Sequence, residues 1–301
     1  MSALGKTLER SRFRARYELN RSLRNGASRR AFRAQAPELD VPQRAALHAL
    51  RRDGLAIVPF AELIGDDALW DQLAEGVRSF VAAAEQQIRE RGDRFKRKDD
   101  FIVRRKALMG ATPPSEALRY ALSDQLLGVV NAYLGMRSKL TYMDNWYTAP
   151  SPPQADRIAS QRWHRDHIDR HIVKVFTYFS DVDAEAGATE YVKGSAAGGR
   201  HGDLWPWRPE DESGDQYPPT EELERHIPES DRVAAEGPVG TVVLCDTGGF
   251  HRGGFARKPR VTANFTYVSP AALASELTKR RFELPDPLPE GLSPAARFAL
   301  R

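Results

Sequence analysis

The stretch Trp163-His164-Arg165-Asp166, followed six residues later by Ile172–Ser180 (IVKVFTYFS), decides how this chain is read. On extended backbone, residues two apart leave the same face, so His164 and Asp166 can aim at one point. The β-branched and aromatic residues of 172–180 predict the strand that follows them. His251 comes 85 residues after Asp166, just past the strand-like run Gly240–Asp246 (GTVVLCD). Nine residues later Arg260 opens a further strand-like run, Val261–Val268 (VTANFTYV). Two imidazoles and one carboxylate can occupy one face of an octahedral iron(II) ion and leave the opposite positions open. An oxygen-activating metal needs such positions, because co-substrate and dioxygen both bind it directly.

Outward from this stretch, the chain changes character near residue 138. Before it, Pro42–Arg52 predicts a helix stopped by Asp53-Gly54, and Leu55–Val58 a short strand. Asp66 or Asp67 can cap a longer helix to about Arg91, with Leu69, Leu73, Val77, Phe80 and Val81 at helical spacing. Residues 94–106 read as a charged connector, and Ser115 with Glu116 opens one helix running through Tyr133. After it, Leu140–Tyr147, Ile172–Ser180, Thr189–Lys193, Val239–Cys245 and Val261–Val268 predict strands. Helices followed by strands predict a β-rich core buttressed by N-terminal helices, with two sheets as in a jelly roll. Residues 195–232 form a Gly- and Pro-containing insertion with Trp205 and Trp207, of a length typical of binding loops or lids.

Composition is that of an ordinary globular protein, with 41% hydrophobic and 29% charged residues in a 301-residue chain. No apolar run is long enough to span a bilayer, and the first ten residues lack the apolar core of a secretory signal. The lone Cys245 has no intramolecular partner, so a cytoplasmic setting is expected. Residues 1–34 hold ten Lys or Arg against Glu9 and Glu18, a local +8, which leaves −4 for the rest of the +4 total. This basic N-terminal arm is read as a solvated helix over the main domain, residues 35–301. Nucleic acid, an anionic membrane or a transit function are its alternatives, but no nucleic-acid motif supports them.

Rival ligands exist. His164, His167 and His171 share an i, i+3, i+7 pattern that would suit a three-histidine zinc hydrolase if helical, but the run after His171 argues for extended structure. His48, His201 and His226 fall on the early helix and in the insertion. Arg260 suits a dicarboxylate co-substrate, whose far carboxylate needs a bidentate cation. It shares a strand face with Thr262 and Asn264, whereas Arg257 and Lys258 lie in the turn before Pro259.

Together, His164-x-Asp166, then Asp181-Val182-Asp183-x-x-x-Gly187-x-Thr189-x-Tyr191-Val192-x-Gly194-Ser195, then His251 and Arg260, closely resemble the phytanoyl-CoA dioxygenase-like family over about residues 50–270. Lys193 and Ala196 stand where that family's Pro-Gly-Ser-His turn has its first and last residues. The resemblance implies a double-stranded β-helix, an iron(II) cofactor held by His164, Asp166 and His251, and 2-oxoglutarate paired with Arg260. It also implies that Phe176, and more weakly Lys174, line the co-substrate pocket. The implied reaction uses dioxygen, releases succinate and carbon dioxide, and hydroxylates a small-molecule substrate. Related halogenases lack the carboxylate, so Asp166 points to hydroxylation, although desaturation, ring formation and epimerisation share these residues. The basic run at 94–106 would suit an anionic substrate. A catalytically silent β-helix binding module is the alternative from another class.

Overall fold

The computed structural model describes residues 3–92, 98–106, 115–166, 168–204, 217–272 and 287–300. Two helices, α1 (Ala3–Leu19) and α2 (Gly26–Ala34), form the N-terminal arm. Helix α3 (Val41–Asp53) starts at a capping box in which Asp40 accepts from the Gln43 amide, and it ends at Gly54 in the left-handed conformation. Strand β1 (Leu55–Pro59), helix α4 (Phe60–Leu63) and helix α5 (Asp67–Arg91) follow, with Asp66 capping α5.

The expected single helix from Ser115 to Tyr133 is two, α6 (Glu116–Ala121) and α7 (Asp124–Leu134). Ser123 accepts the Leu126 amide and caps a second start, which breaks the run. The expected charged connector contains strand β2 (Ile102–Lys106). Ile102 and Val103 are buried while Arg104 and Arg105 are exposed at successive positions of the strand, the charged character of a protected sheet edge.

The remaining strands are β3 (Lys139–Thr148), β4 (Val173–Tyr178), β5 (Glu190–Val192), β6 (Arg232–Ala234), β7 (Thr241–Asp246), β8 (His251–Arg252) and β9 (Arg260–Val268). Helix α8 (Thr220–His226) lies in the insertion, and α9 (Pro294–Leu300) near the C-terminus packs Ala296, Ala299 and Leu300 into the core. A six-stranded antiparallel sheet runs β1-β7-β4-β9-β3-β2, and a three-stranded sheet runs β6-β5-β8. Two facing antiparallel sheets make the expected double-stranded β-helix.

The large sheet has unlike faces. Val173, Val175, Val242, Leu244, Ala263 and Phe265 point outward into one core with helix residues such as Leu50, Tyr120 and Leu127. Tyr120 meets Phe265 edge to face at 5.1 Å, and Tyr267 Oη donates to the Ala121 carbonyl at 2.8 Å. The alternate residues Lys174, Phe176, Arg260, Thr262 and Asn264 line a cavity on the inner face. Period-two alternation thus places the apolar load on one side and the polar chemistry on the other. No described helix is long and apolar enough to cross a membrane.

The arm is held more firmly at its second helix than a solvated helix implies. Leu8, Leu19 and Leu23 are exposed, but Asn25 and Ser28 are buried. The Asn25 side-chain oxygen accepts the Ala271 amide at 3.0 Å, and Ser28 donates to the Arg137 carbonyl at 2.6 Å.

Candidate metal centre

His164 and His251 are backbone partners: each amide donates to the other's carbonyl at 3.0 Å. That reciprocal pair brings the His-x-Asp segment alongside β8 and extends the small sheet. The Asp166 amide donates to the Thr247 carbonyl at 2.8 Å, a second tie between the two segments outside that register. As a result His164, Asp166 and His251, distant in sequence, each present a ligand atom within 4.8 Å of the others. Among the described residues they form the one such cluster.

The turn that delivers His251 is built around Asp246. Its buried carboxylate accepts from Tyr133 Oη at 2.6 Å, from the Ile172 amide at 3.1 Å and from the Gly248 amide at 2.9 Å. His171 Nδ1 sits 2.6 Å from the same group. Burial opposes the Asp246 charge, but His171 and these hydrogen bonds hold the carboxyl below its ordinary range. His171 is therefore committed to this support. His201 pairs with Asp231 at 2.6 Å, while His167 lies outside the described residues. Only glycine fits at 249, because a Cβ there would come within 2.2 Å of Tyr191 Oη.

The ring nitrogens are already sorted. His164 Nδ1 lies 2.8 Å from the Arg162 carbonyl, and His251 Nδ1 lies 3.1 Å from the Gly249 carbonyl. A carbonyl only accepts, so each Nδ1 carries the proton and each Nε2 keeps its lone pair for the centre. Burial, reinforced by repulsion from His164, pushes His251 down to about 3, and burial likewise lowers His164. Burial alone would raise Asp166, but the Lys174 ammonium and then the two imidazoles hold it well below the carboxylate range. Neutral imidazoles and an ionised carboxylate at neutral pH are the states a divalent metal requires. The donor set fits iron(II) of the two-histidine, one-carboxylate kind.

The triad opens onto a cavity of about 110 Å³ that Arg260 also lines. Arg260 is buried, its Nη1 donates to the Gly187 carbonyl, and its Nε has no hydrogen-bond partner. Gly187 adopts φ +67°, and a Cβ there would meet the Ala256 amide nitrogen at 2.7 Å. Burial lowers the Arg260 pKa. Asn264 donates to Thr262 Oγ1 at 3.1 Å, which leaves its carbonyl oxygen buried without a partner. A buried guanidinium with an unmatched N–H on a polar wall has the chemistry to take a carboxylate. The rivals go elsewhere: Arg257 donates to Pro153, and Lys258 pairs with Asp183 at 2.6 Å. Phe176 and Lys174 line the same cavity. Lys174 Nζ lies 2.6 Å from Asp166 Oδ2, an ion pair the sequence reading did not foresee.

Other residues near the centre were also missed. Tyr217, at the returning end of the insertion, sets its ring edge-on to His164 at 5.6 Å, while Arg162 covers the Tyr217 ring at 4.9 Å. Trp205 and Trp207 lie outside the described residues. Trp146 lines the cavity with Lys98 above its ring at 4.7 Å. Its signal was present in the alternation of β3, opposite in phase to Met143 and Tyr147. Arg165 is fully buried, donates to Ser195 and Gly248 at 2.8 and 2.7 Å, and covers the Phe250 ring at 3.8 Å. It pins the ligand-bearing segment and does not face the centre.

Two antiparallel sheets around a pre-sorted His/Asp/His cluster define a non-haem metal enzyme fold of the β-helix class. The chain belongs to the phytanoyl-CoA dioxygenase (PhyH) family, whose sequence profile matches residues 42–258. Its fold is similar to that of the epimerase SnoN in complex with Fe3+, alpha ketoglutarate and nogalamycin RO, at 17% identity. That match covers 83% of this chain and 94% of that one, with a TM-score of 0.53. AviO1 from Streptomyces viridochromogenes Tue57 is also similar, at 22% identity over 79% of this chain and 99% of that one, TM-score 0.50. No curated protein sequence matches the chain significantly.

Proposed function

We propose that this protein is an iron(II)- and 2-oxoglutarate-dependent dioxygenase that hydroxylates a small molecule. The observation that carries this reading is the convergence of His164, Asp166 and His251 within 4.8 Å, on a cavity shared with a buried Arg260. His164 and His251 would ligate through Nε2, their orientation fixed by the carbonyls of Arg162 and Gly249. Asp166 supplies the anionic ligand. Arg260 receives the far carboxylate of 2-oxoglutarate, with Thr262 and Asn264 beside it. When bound, iron and 2-oxoglutarate supply dioxygen activation, with release of succinate and carbon dioxide.

The chain's own part is ligation, orientation and exclusion of water, and no side chain acts as the principal acid or base. Tyr217, which sets its ring edge-on to His164 beneath Arg162, supports reading the 195–232 insertion as a lid on a single 35–301 domain. The presence of Asp166 favours hydroxylation over halogenation, because the carboxylate occupies the position a halide would take.

Anaerobic addition of iron(II) and 2-oxoglutarate should produce a weak visible charge-transfer band that is absent in His164→Ala. Turnover should release succinate, with the organic product gaining one oxygen atom. A product of unchanged mass would convert the reading to epimerisation. Failure of the wild type to bind 2-oxoglutarate would leave a silent binding module.

A further inference from the structure

A second chamber of about 190 Å³ adjoins the metal cavity and shares Asp166, Lys174, Trp146, Lys98 and Asn264 with it. Its wall carries three cations, Lys98, Arg104 and Lys174, beside the aromatic rings of Tyr142 and Trp146. These rings are locked edge to face, with Trp146 Nε1 donating to Tyr142 Oη at 3.3 Å. Lys98 lies over the Trp146 face, and Lys174 projects from the inner face of β4 between the two cavities. Lys174 holds Asp166 Oδ2 at 2.6 Å, and the same oxygen lies 3.9 Å from His251 Nε2. The ammonium is therefore on the carboxylate that a metal would engage. A divalent ion bound there repels it and lowers its claim on that oxygen.

We propose that this chamber is the substrate subsite, and that it receives the phosphate or carboxylate of a compact ring-bearing anion. Lys174 and Lys98 are its anion-binding residues, and Lys174 is released for the role when metal displaces it from Asp166. The inference rests on His164, Asp166 and His251 being metal ligands. It gives Lys174 to the substrate and leaves the co-substrate to Arg260. The ring portion of the anion lies beside the Trp146 and Tyr142 rings, with the Lys98 ammonium above the indole close to its charge.

The test uses the full chain, oxygen-inert Mn(II), saturating 2-oxoglutarate and phenyl phosphate as the probe, with phenol as its neutral counterpart. Calorimetry first measures Mn(II) and 2-oxoglutarate, then the probe. Phenyl phosphate should bind the loaded protein and phenol should not. Lys174→Met and Lys98→Met should each weaken the probe about tenfold or more, the loss expected for one charge-assisted hydrogen bond. Lys174→Met should also bind Mn(II) more tightly than wild type, a result that doubles as proof of folding. Lys174→Arg should keep most of the probe affinity.

The subsite is wrong if phenyl phosphate fails to bind while Mn(II) and 2-oxoglutarate do, and the proposed function then stands. It is equally wrong if excess 2-oxoglutarate expels the probe, or if Lys174→Met weakens 2-oxoglutarate and spares the probe. Loss of Mn(II) binding by the wild type would overturn both readings.

Discussion

The two faces of the six-stranded sheet contrast sharply although they alternate along the same strands. On β4, Val173 and Val175 join the helices in the outer core, whereas Lys174 and Phe176 line the inner cavity. On β9, Ala263 and Phe265 do the first, and Arg260, Thr262 and Asn264 do the second. The outer face is largely apolar, and its Thr177 and Tyr267 hydroxyls are hydrogen-bonded, to Tyr120 Oη at 2.9 Å and to the Ala121 carbonyl at 2.8 Å. The inner face buries a guanidinium N–H and an amide oxygen that have no partner. An unmatched buried polar atom costs stability. A sheet that tolerates such atoms on one face alone has its stability supplied by the other, which leaves the inner face available for binding.

That division can be broken from either side. His251→Ala should lower turnover by at least about 100-fold, beyond the 10–100-fold typical of outer-shell partners, because it removes a ligand. Its urea midpoint should shift little, since the backbone pairing with His164 persists. Assay of succinate release beside a denaturation curve decides this, and a large stability loss would show that the inner face also holds the fold. Phe265→Ala should do the reverse. It empties a fully buried site against Tyr120 and should cost about 3–5 kcal/mol of unfolding free energy. Mn(II) affinity of the folded variant should stay within about twofold of wild type.

Arg260→Met sharpens the contrast at one buried residue. Removing a charge with an unmatched N–H should leave the melting temperature unchanged or raise it. The same change should weaken 2-oxoglutarate by about 2 kcal/mol or more, roughly 30-fold, as a paired buried charge is lost. Unchanged co-substrate affinity would move the anchor off this strand.

The alternation that separates the faces was legible in the chain before folding, and so was the spacing that gathers the three ligands. The strands of the large sheet other than β2 were readable because they are rich in aliphatic, β-branched or aromatic residues and bounded by Gly and Pro. What was not readable depends on partners in three dimensions. Ser123 ends one helix and starts the next through its own side chain, in a run whose apolar spacing continues across it. β2 hides because its arginines belong to an edge, and β8 because two residues carry no periodicity. The Lys174–Asp166 pair joins residues eight apart on different segments, and nothing in their spacing announces it. Asn25 and Ser28 looked like part of a solvated arm, since their burial depends on Ala271 and Arg137.

The smallest expected effect lies at the rim, away from both faces. Asp231 precedes β6 and accepts from Arg200 at 2.7 Å and from His201 at 2.6 Å, while Arg200 also reaches Asp53 at 3.1 Å. The Arg200 hydrogen bond first, and His201 second, pull the Asp231 carboxyl down to about 2. A folded value below the unfolded one means that the contribution is complete above about pH 4 and disappears as pH falls toward 2. For a rim pair shared with solvent it should amount to about 1 kcal/mol. Asp231→Asn should therefore lower stability by that amount at pH 7 and flatten the acid limb of the stability curve between pH 4 and 2. Succinate release should change little, because the cluster joins the start of the insertion to the sheet and touches neither cavity. A variant that lost turnover with its stability intact would make this rim part of the lid's closure, and the contrast between a structural and a chemical face would need a third member.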